Sequence, residues 1–194
     1  MSKIILASKS KVRKDILSFN GISCEVVPSN IDEDNVKLSL LKEKASPETI
    51  SKNLAELKAN KISSKFEDKL VIGADSVIDF EGRIISKPRN RLQALEILKT
   101  LNGNMHNLIS SVCISKGGKM IWHYTDKAQL YMKNHKLEEL ESYLSKISDE
   151  NLYAYNVYQI EGLGKTLFSD IRGDNDTIMG LPVKKIKDYL KNFN

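Results

Sequence analysis

The chain has 194 residues, of which 41% are hydrophobic and 28% charged, and it carries a net charge of +5. That length holds one domain with a real core, or one domain with two lobes, and the composition is that of a soluble globular protein. The longest apolar runs, such as Ile4-Ile5-Leu6-Ala7, are too short to span a bilayer, so no membrane association is expected.

Met1-Ser2-Lys3 leads into only four apolar residues and then lysines, which is not a secretory leader; a cytoplasmic chain is expected. Cys24 and Cys113 form no CxxC pair and lie in apolar, strand-like surroundings, so buried free thiols are expected rather than a disulfide or a zinc site. His106, His123 and His135 lack metal-ligand spacing. The mild positive charge permits a polyanionic ligand and equally suits a lysine-rich surface. A stable nucleic-acid complex is not expected, because the chain has no dense basic stripe and no aromatic platform.

In chain order, Ile4–Ala7 reads as a short buried strand. Helix 1 starts near Ser10, with Val12, Ile16, Leu17 and Phe19 on its apolar side, and ends at Asn20-Gly21. Ile22–Val27 is a second strand. Residues 29–46 are polar and acidic at first, without a clear period. Ser46-Pro47-Glu48 is a helix start, an N-cap serine with proline at the first helical position, and that helix runs to about Ser63. Its stripe is Ile50, Leu54, Leu57 and Ile62, and Lys58 falls near the middle of that stripe.

Leu70–Phe80 is a near-continuous apolar strand, and Glu81-Gly82 turns it into Arg83–Ile85. Asn90 caps a helix reaching Leu101. Leu108–Ser115 and Lys119–Met132 form a long hairpin around Gly117-Gly118. Leu137–Ile147 is an amphipathic helix, Val157–Ile171 reads as strands around Gly162 and Gly164, and Leu181-Pro182 opens a C-terminal helix. The pattern predicts a mixed α/β or α+β domain with a twisted mixed sheet and flanking helices.

Several polar residues stand in apolar places. Asp75 interrupts the strand LVIGADSVIDF, and Lys87, twelve residues on, would return along the hairpin toward the same end of the sheet; Asp75 is either half of a buried structural Asp–Lys pair or a functional carboxylate, with the two readings about even. Gly73, two residues earlier, lets another backbone or a ligand come close. Glu33 sits in the run Ile31-Asp32-Glu33-Asp34, which reads by itself as a solvated loop and, with partners, as oxygen ligands for a divalent cation. Lys58 on the inward face of its helix needs a counter-charge. The N-terminal stretch Ser8-Lys9-Ser10-Lys11-Val12-Arg13 opens a helix with hydroxyls and cations, which suits phosphate. Anion cradle, inward lysine, strand aspartate and acidic run are the parts that phosphoryl chemistry uses. The sequence GxxxxGK[ST] of a P-loop is absent.

Seven motifs in order resemble the Maf family over essentially the whole length. They are Leu6-Ala7-Ser8-Lys9-Ser10-Lys11-Val12-Arg13, Ile31-Asp32-Glu33, Leu54-Ala55-Glu56-Leu57-Lys58-Ala59, Gly73-Ala74-Asp75-Ser76-Val77-Ile78, Lys87-Pro88, Asn102-Gly103-Asn104-Met105-His106 and Gly180-Leu181-Pro182. The resemblance implies a single domain over residues 1–194 with two lobes, similar to inosine triphosphate pyrophosphatases, and substrate in a central cleft. It implies hydrolysis of a nucleoside triphosphate to monophosphate and pyrophosphate with a divalent cation, Mg²⁺ or Mn²⁺. Asp75 would be the catalytic base and would share the metal with Glu33, while Ser8, Ser10, Arg13, Lys58 and Lys87 would hold the triphosphate. Val12, Ser76 and Glu161 would bear on specificity. Val12 departs from the family's arginine, and Glu161-Gly162-Leu163-Gly164 looks more like the branch associated with 7-methyl-GTP than the dTTP/UTP branch. The family often forms homodimers. Its tie to septum inhibition leaves an alternative, a non-catalytic nucleotide-binding regulator of cell division.

Overall fold

A computed structural model describes residues 4–154, 157–160 and 162–193. The elements in order are β1 (Ile4–Leu6), α1 (Lys11–Phe19), β2 (Cys24–Val26), α2 (Glu33–Lys42), α3 (Pro47–Ser63), β3 (Val71–Phe80), β4 (Arg83–Ile85), α4 (Arg91–Leu101), β5 (Met105–Lys116), β6 (Lys119–Met132), α5 (Leu137–Ser145), α6 (Asp149–Ala154), a 3-10 helix (Leu163–Leu167), β7 (Phe168–Arg172), α7 (Asn175–Ile178) and α8 (Val183–Asn192). Among the described residues the strands form one mixed seven-stranded sheet in the order β2-β1-β3-β5-β6-β7, with β4 on β3. β1 runs parallel to β2 and β3, whereas β3–β4 and β6–β7 are antiparallel. The mixed α/β architecture with flanking helices is the one that the sequence pattern predicts.

The chain divides into two compact units, and the divisions fall inside β3, β5 and β6 and between β7 and α7. The first comprises Met1–Ser76, Ile109–Lys127 and Asp174–Asn194; the second comprises Val77–Leu108 and Ala128–Gly173. In the first unit, Ile16 and Leu17 of α1 and Val183 and Ile186 of α8 pack with Leu6, Ile72, Ala74, Val112 and Ile114 of the strands. Another cluster joins Ala55, Ala59 and Ile62 of α3 to Ile5, Ala7, Val71 and Cys113. In the second unit, α4 and α5 are fastened end-on: the Arg91 guanidinium donates to the Leu144 and Ile147 carbonyls at 2.7 and 2.8 Å. Carbonyls at and just past a helix C-terminus have spare acceptor capacity; that of Leu144 also accepts from Ile147 N at 3.1 Å, and the arginine adds a charged donor from the neighbouring helix.

Local sequence explains most helix starts. Ser10 accepts from Arg13 N, Ser46 from Thr49 N and Asn90 from Gln93 N. The Glu81-Gly82 and Gly117-Gly118 turns have two consecutive positive φ angles, the type I′ geometry that suits a twisted hairpin.

Several expectations need correction. Residues 31–34 are not a loop: Asp32 caps α2, accepting from Asn35 N, and Glu33 and Asp34 fill its first turn. No residue of α2 is buried, so it lacks the apolar stripe that betrays a helix; cap and macrodipole set its start. None of the described residues in 157–160 and 162–167 is strand. The second run contains the 3-10 helix, and β7 starts only at Phe168. At Gly164 a Cβ would lie 2.7 Å from Gln159 N, so this glycine marks a close backbone approach rather than a strand interior. Phe19 is 90% exposed and Leu57 41%, so neither belongs to the core face assigned to it. Cys113 is buried, and burial pushes its thiol up to about 12, but Cys24 is only half-buried. No helix among the described residues is long and apolar enough to cross a membrane.

Gly73 has the closest fit in the first unit. A Cβ there would stand 2.7 Å from Ala59 N and 2.9 Å from Ala59 Cβ, because the α3 backbone lies directly on β3. Gly73→Ala is expected to lower the unfolding free energy by about 1–3 kcal/mol or more, the range for overpacking a rigid contact. Urea denaturation measures it, and a change below about 0.5 kcal/mol, the ordinary surface range, contradicts the close packing.

Candidate active site

The site is built on β3 and the elements packed against it in the first unit. Successive side chains of a strand point to opposite faces. Asp75 therefore faces α3, and Ser76 faces the other way. On the α3 side, Lys58 is 6% exposed and Asp75 5%. Lys58 Nζ lies 2.8 Å from Asp75 Oδ1 and 3.0 Å from Glu33 Oε1, so one ammonium bridges two carboxylates. Ser51, also on α3, donates to the Asp75 carbonyl at 3.1 Å. Asp75 Oδ2 is buried and has no hydrogen-bond partner within the protein. A carboxylate locked through one oxygen, with the other buried and bare, is costly unless a ligand, water or cation completes it.

On the opposite face, Ser8 Oγ accepts from Ser10 N at 3.2 Å, and Ser10 Oγ caps α1. The half-buried Arg13 side chain donates from Nε to the Gly180 carbonyl at 3.0 Å and from Nη1 to the Ala74 carbonyl at 3.0 Å and Ser8 Oγ at 3.4 Å. Its Nη2 donates to Ser76 Oγ at 3.1 Å. Burial lowers the Arg13 pKa, and the charges of Asp75 and Glu33 oppose that shift. Four of its five N–H donors are engaged inside the protein. Arg13 thereby ties the α1 start to β3 and to the segment before α8.

The structure thus brings Ser8, Ser10, Arg13, Glu33, Lys58, Asp75 and Ser76 into one unit around β3. Val12 is half-buried and packs against the core that contains Ile16 and Leu17. Lys87 belongs to the second unit and is exposed in the segment after β4. Glu161 lies outside the described residues.

Sequence reasoning missed three residues that extend the network. Ser76 Oγ is 2.9 Å from Ser110 Oγ, Ser110 donates to the Thr177 carbonyl at 2.8 Å, and Thr177 Oγ1 donates to Asp126 Oδ2 at 2.6 Å. The signal was present: Ser110, Ser111 and Ser115 all interrupt β5 and are fully buried, as Asp75 interrupts β3.

The donor set fits a divalent cation. Asp75 and Glu33 both contact the Lys58 ammonium, Asp75 Oδ2 is buried without a partner, and no third His, Cys, Asp or Glu completes a metal-binding group among the described residues. Two carboxylates, with waters and phosphate oxygens in the remaining positions, is the mode of Mg²⁺ rather than of a full protein cage. Charge points the same way. Asp75 and Glu33 cancel Lys58 and Arg13, which leaves these side chains no surplus to attract a polyanion.

Residues 3–193 match the family described as Maf-like protein. The chain belongs to the Maf family. A Pelagibacter ubique protein named nucleoside triphosphate pyrophosphatase is 71% identical over 98% of both chains. A protein of the same name from a Ruegeria species is 37% identical over 96% of this chain and 94% of its own. Among solved structures, the Staphylococcus aureus Ham1 protein covers 100% of both chains at 13% identity, with a TM-score of 0.43.

His106 of this Maf chain sits apart from β3's polar cluster, in the core of the second unit. It is 1% exposed, its Nε2 is 2.7 Å from Tyr158 Oη, and it contacts the Phe168 ring. Nδ1 has no partner, and burial pushes its pKa down to about 4, so it is neutral at pH 7. With the folded value below the ordinary 6.5, its stabilising contribution is full above pH 6.5 and is lost as pH falls toward 4. The loss approaches about 3 kcal/mol at about 1.4 kcal/mol per pH unit. Thermal unfolding of His106→Gln is therefore expected to show a shallower fall in stability between pH 6.5 and 4 than the parent chain. Parallel profiles contradict a buried neutral imidazole.

Removing Lys58 leaves Asp75 as an uncompensated buried charge. Lys58→Met is expected to cost about 3–5 kcal/mol in urea denaturation, and the double variant Lys58→Met/Asp75→Asn to recover a large part of it. Additive losses would mean that the ion pair is not a coupled unit.

Proposed function

We propose that this chain hydrolyses nucleoside triphosphates to the monophosphate and pyrophosphate, with Asp75 as general base. The observation that carries the reading is the asymmetric Asp75 carboxylate: Oδ1 is fixed by Lys58 at 2.8 Å, and Oδ2 is buried and bare. The names of the Pelagibacter and Ruegeria relatives support the activity.

Oδ2 has an open lone pair and a fixed direction. It accepts a proton from a water, whose oxygen attacks the α-phosphorus. The bond from that phosphorus to the bridging oxygen breaks, pyrophosphate leaves with the electron pair, and Asp75 later returns its proton to solvent. Lys58 holds the carboxylate in place, because its ammonium is already shared between Asp75 and Glu33. The α1 N-terminus, with Ser8 and Ser10, supplies hydroxyls and backbone N–H groups toward phosphate oxygens. Arg13 keeps that helix start registered on Ala74 and Gly180. Asp75 and Glu33 would hold Mg²⁺ or Mn²⁺, which supplies charge neutralisation and Lewis-acid polarisation of phosphate oxygens. Base preference is the finer part of the proposal. The sequence Glu161-Gly162-Leu163-Gly164 with Thr166-Leu167-Phe168 favours a 7-methyl-GTP-type substrate over dTTP or UTP.

Pyrophosphate release from a panel of unmodified and modified nucleoside triphosphates, with and without Mg²⁺, tests the reading. Asp75→Asn is expected to lower kcat by about two to four orders of magnitude, the range for a lost general base, with the fold retained. Undiminished turnover by a folded Asp75→Asn protein overturns the assignment. Tight nucleotide binding without turnover by the parent chain favours the regulator instead.

A further inference from the structure

Lys58 already stands where a cation would. Its ammonium lies 2.8 Å from Asp75 Oδ1 and 3.0 Å from Glu33 Oε1, between the two carboxylates that fit a divalent ion. Mg²⁺ approaches its ligand oxygens to about 2.1 Å, so an ion on Glu33 and Asp75 Oδ2 would crowd that ammonium. Like charges at such range repel, and one contact has to yield. The two contacts of Lys58 are unequal. Lys58 and Asp75 are both buried, and breaking a buried pair strands a desolvated charge. The Glu33 side chain is 42% exposed, and an ion pair open to solvent contributes far less. Glu33 also rides on the element with the lighter attachment. No residue of α2 is buried, and the segment before it is tied to α3 by Lys61, which donates from Nζ to the Asn30 carbonyl at 3.0 Å.

We propose that Lys58 holds the place of a divalent cation, and that the arriving cation takes Glu33 from it while Lys58 keeps Asp75 Oδ1. The proposal deepens the cation part of the pyrophosphatase reading above and rests on that reading only for the purpose of the ion. Glu33 turns from the ammonium to the ion beside Asp75 Oδ2, and the first turn of α2 moves with it. Without the ion, Lys58 competes for the carboxylates and weakens their hold on a divalent cation. With the ion in place, Asp75, Glu33, Lys58 and the ion sum to a positive charge. Lys58 then has an N–H to offer a phosphate oxygen.

Mn²⁺ binding is measured first, without nucleotide, by loss of the free-ion electron paramagnetic resonance signal. The proteins are the parent chain, Lys58→Met, Lys61→Met and Glu33→Gln. Removing a competitor tightens binding. Lys58→Met is expected to bind Mn²⁺ at least about tenfold more tightly than the parent, the scale of one near-contact charge in a partly screened site. Lys61→Met removes an equal charge one turn along α3 and is expected to change the affinity less than about threefold, since solvent and salt screen it. Glu33→Gln is expected to weaken binding. An unchanged or lower affinity in folded Lys58→Met makes Lys58 an organiser of the site and overturns the proposal. An equal gain in Lys61→Met, which is an effect of net charge alone, overturns it as well, as does unchanged binding by Glu33→Gln.

The parent alone supplies a second measurement, which decides where Lys58→Met does not fold. In the nucleotide-free protein, nuclear magnetic resonance detects coupling across a hydrogen bond from the Lys58 ammonium nitrogen to each carboxylate carbon. Couplings to both Asp75 and Glu33 are expected without Mg²⁺. Saturating Mg²⁺ is expected to abolish the coupling to Glu33 and to leave the one to Asp75. A Glu33 coupling that persists overturns the exchange, and so does its absence before Mg²⁺ is added. Loss of the Asp75 coupling means that Lys58 leaves the site altogether, which also overturns it. A parent with no affinity for either ion does the same. None of these readouts needs turnover. A parent that exchanges Glu33 as expected but releases no pyrophosphate from any nucleoside triphosphate therefore defeats the pyrophosphatase reading and leaves the exchange standing.

Discussion

The backbone-to-backbone approach of α3 onto β3 at Gly73 is the constraint on which the rest of the site depends. A side chain at that point would meet Ala59 N at 2.7 Å. The absence of one lets the helix settle onto the strand, with the small side chains of Ala55 and Ala59 in the contact. Lys58, adjacent to Ala59, is thereby carried to within 2.8 Å of Asp75, two positions along from the glycine. A helix held farther out by a methyl group would leave the same two residues buried but apart. Each would then be a desolvated charge without its partner, which costs several kcal/mol. Small residues on two facing elements and an ion pair just beyond them are thus one device: tight packing makes a short salt bridge reachable.

The period of a strand divides the site into two halves with different chemistry. Asp75, on the α3 face, meets Lys58 and, through that ammonium, Glu33. Ser76, on the other, meets Arg13 and Ser110. The first half is charged and has one bare carboxylate oxygen; the second is a closed set of hydroxyls, carbonyls and one guanidinium. A single peptide step separates a carboxylate with one buried, bare oxygen from a hydroxyl held between a guanidinium and a second hydroxyl. That juxtaposition follows from adjacency on a pleated strand and does not need a specialised loop.

What the sequence revealed follows the same physics. Asp75 and Lys58 were legible because each violates the apolar pattern of an element that the pattern itself identifies. The α1, α3 and α4 starts were legible because Ser10, Ser46 and Asn90 act through neighbours three residues away. The helix α2 was not, since it buries nothing and so leaves no periodic trace; its acidic first turn looked like a loop. The 157–167 segment misled because Gly164 and its apolar neighbours read as strand, whereas the glycine serves a backbone contact with Gln159. Partnerships over long separations, such as Arg13 with Gly180 and Ser110 with Thr177, have no local signal at all. Only the presence of buried polar residues is visible in advance, not their partners.

Arg13 shows why that matters for function. As a residue type it suggests a phosphate ligand, and its place at a helix start strengthens the suggestion. In the fold its donors are spent on Gly180, Ala74, Ser8 and Ser76. A guanidinium used this way contributes less through direct contact with an anion than through the rigidity of what it connects. It fixes the α1 start against β3 and against the segment leading into α8, before any substrate arrives. The orienting cost is met in folding rather than in binding, which is how preorganised polar groups come to favour a transition state.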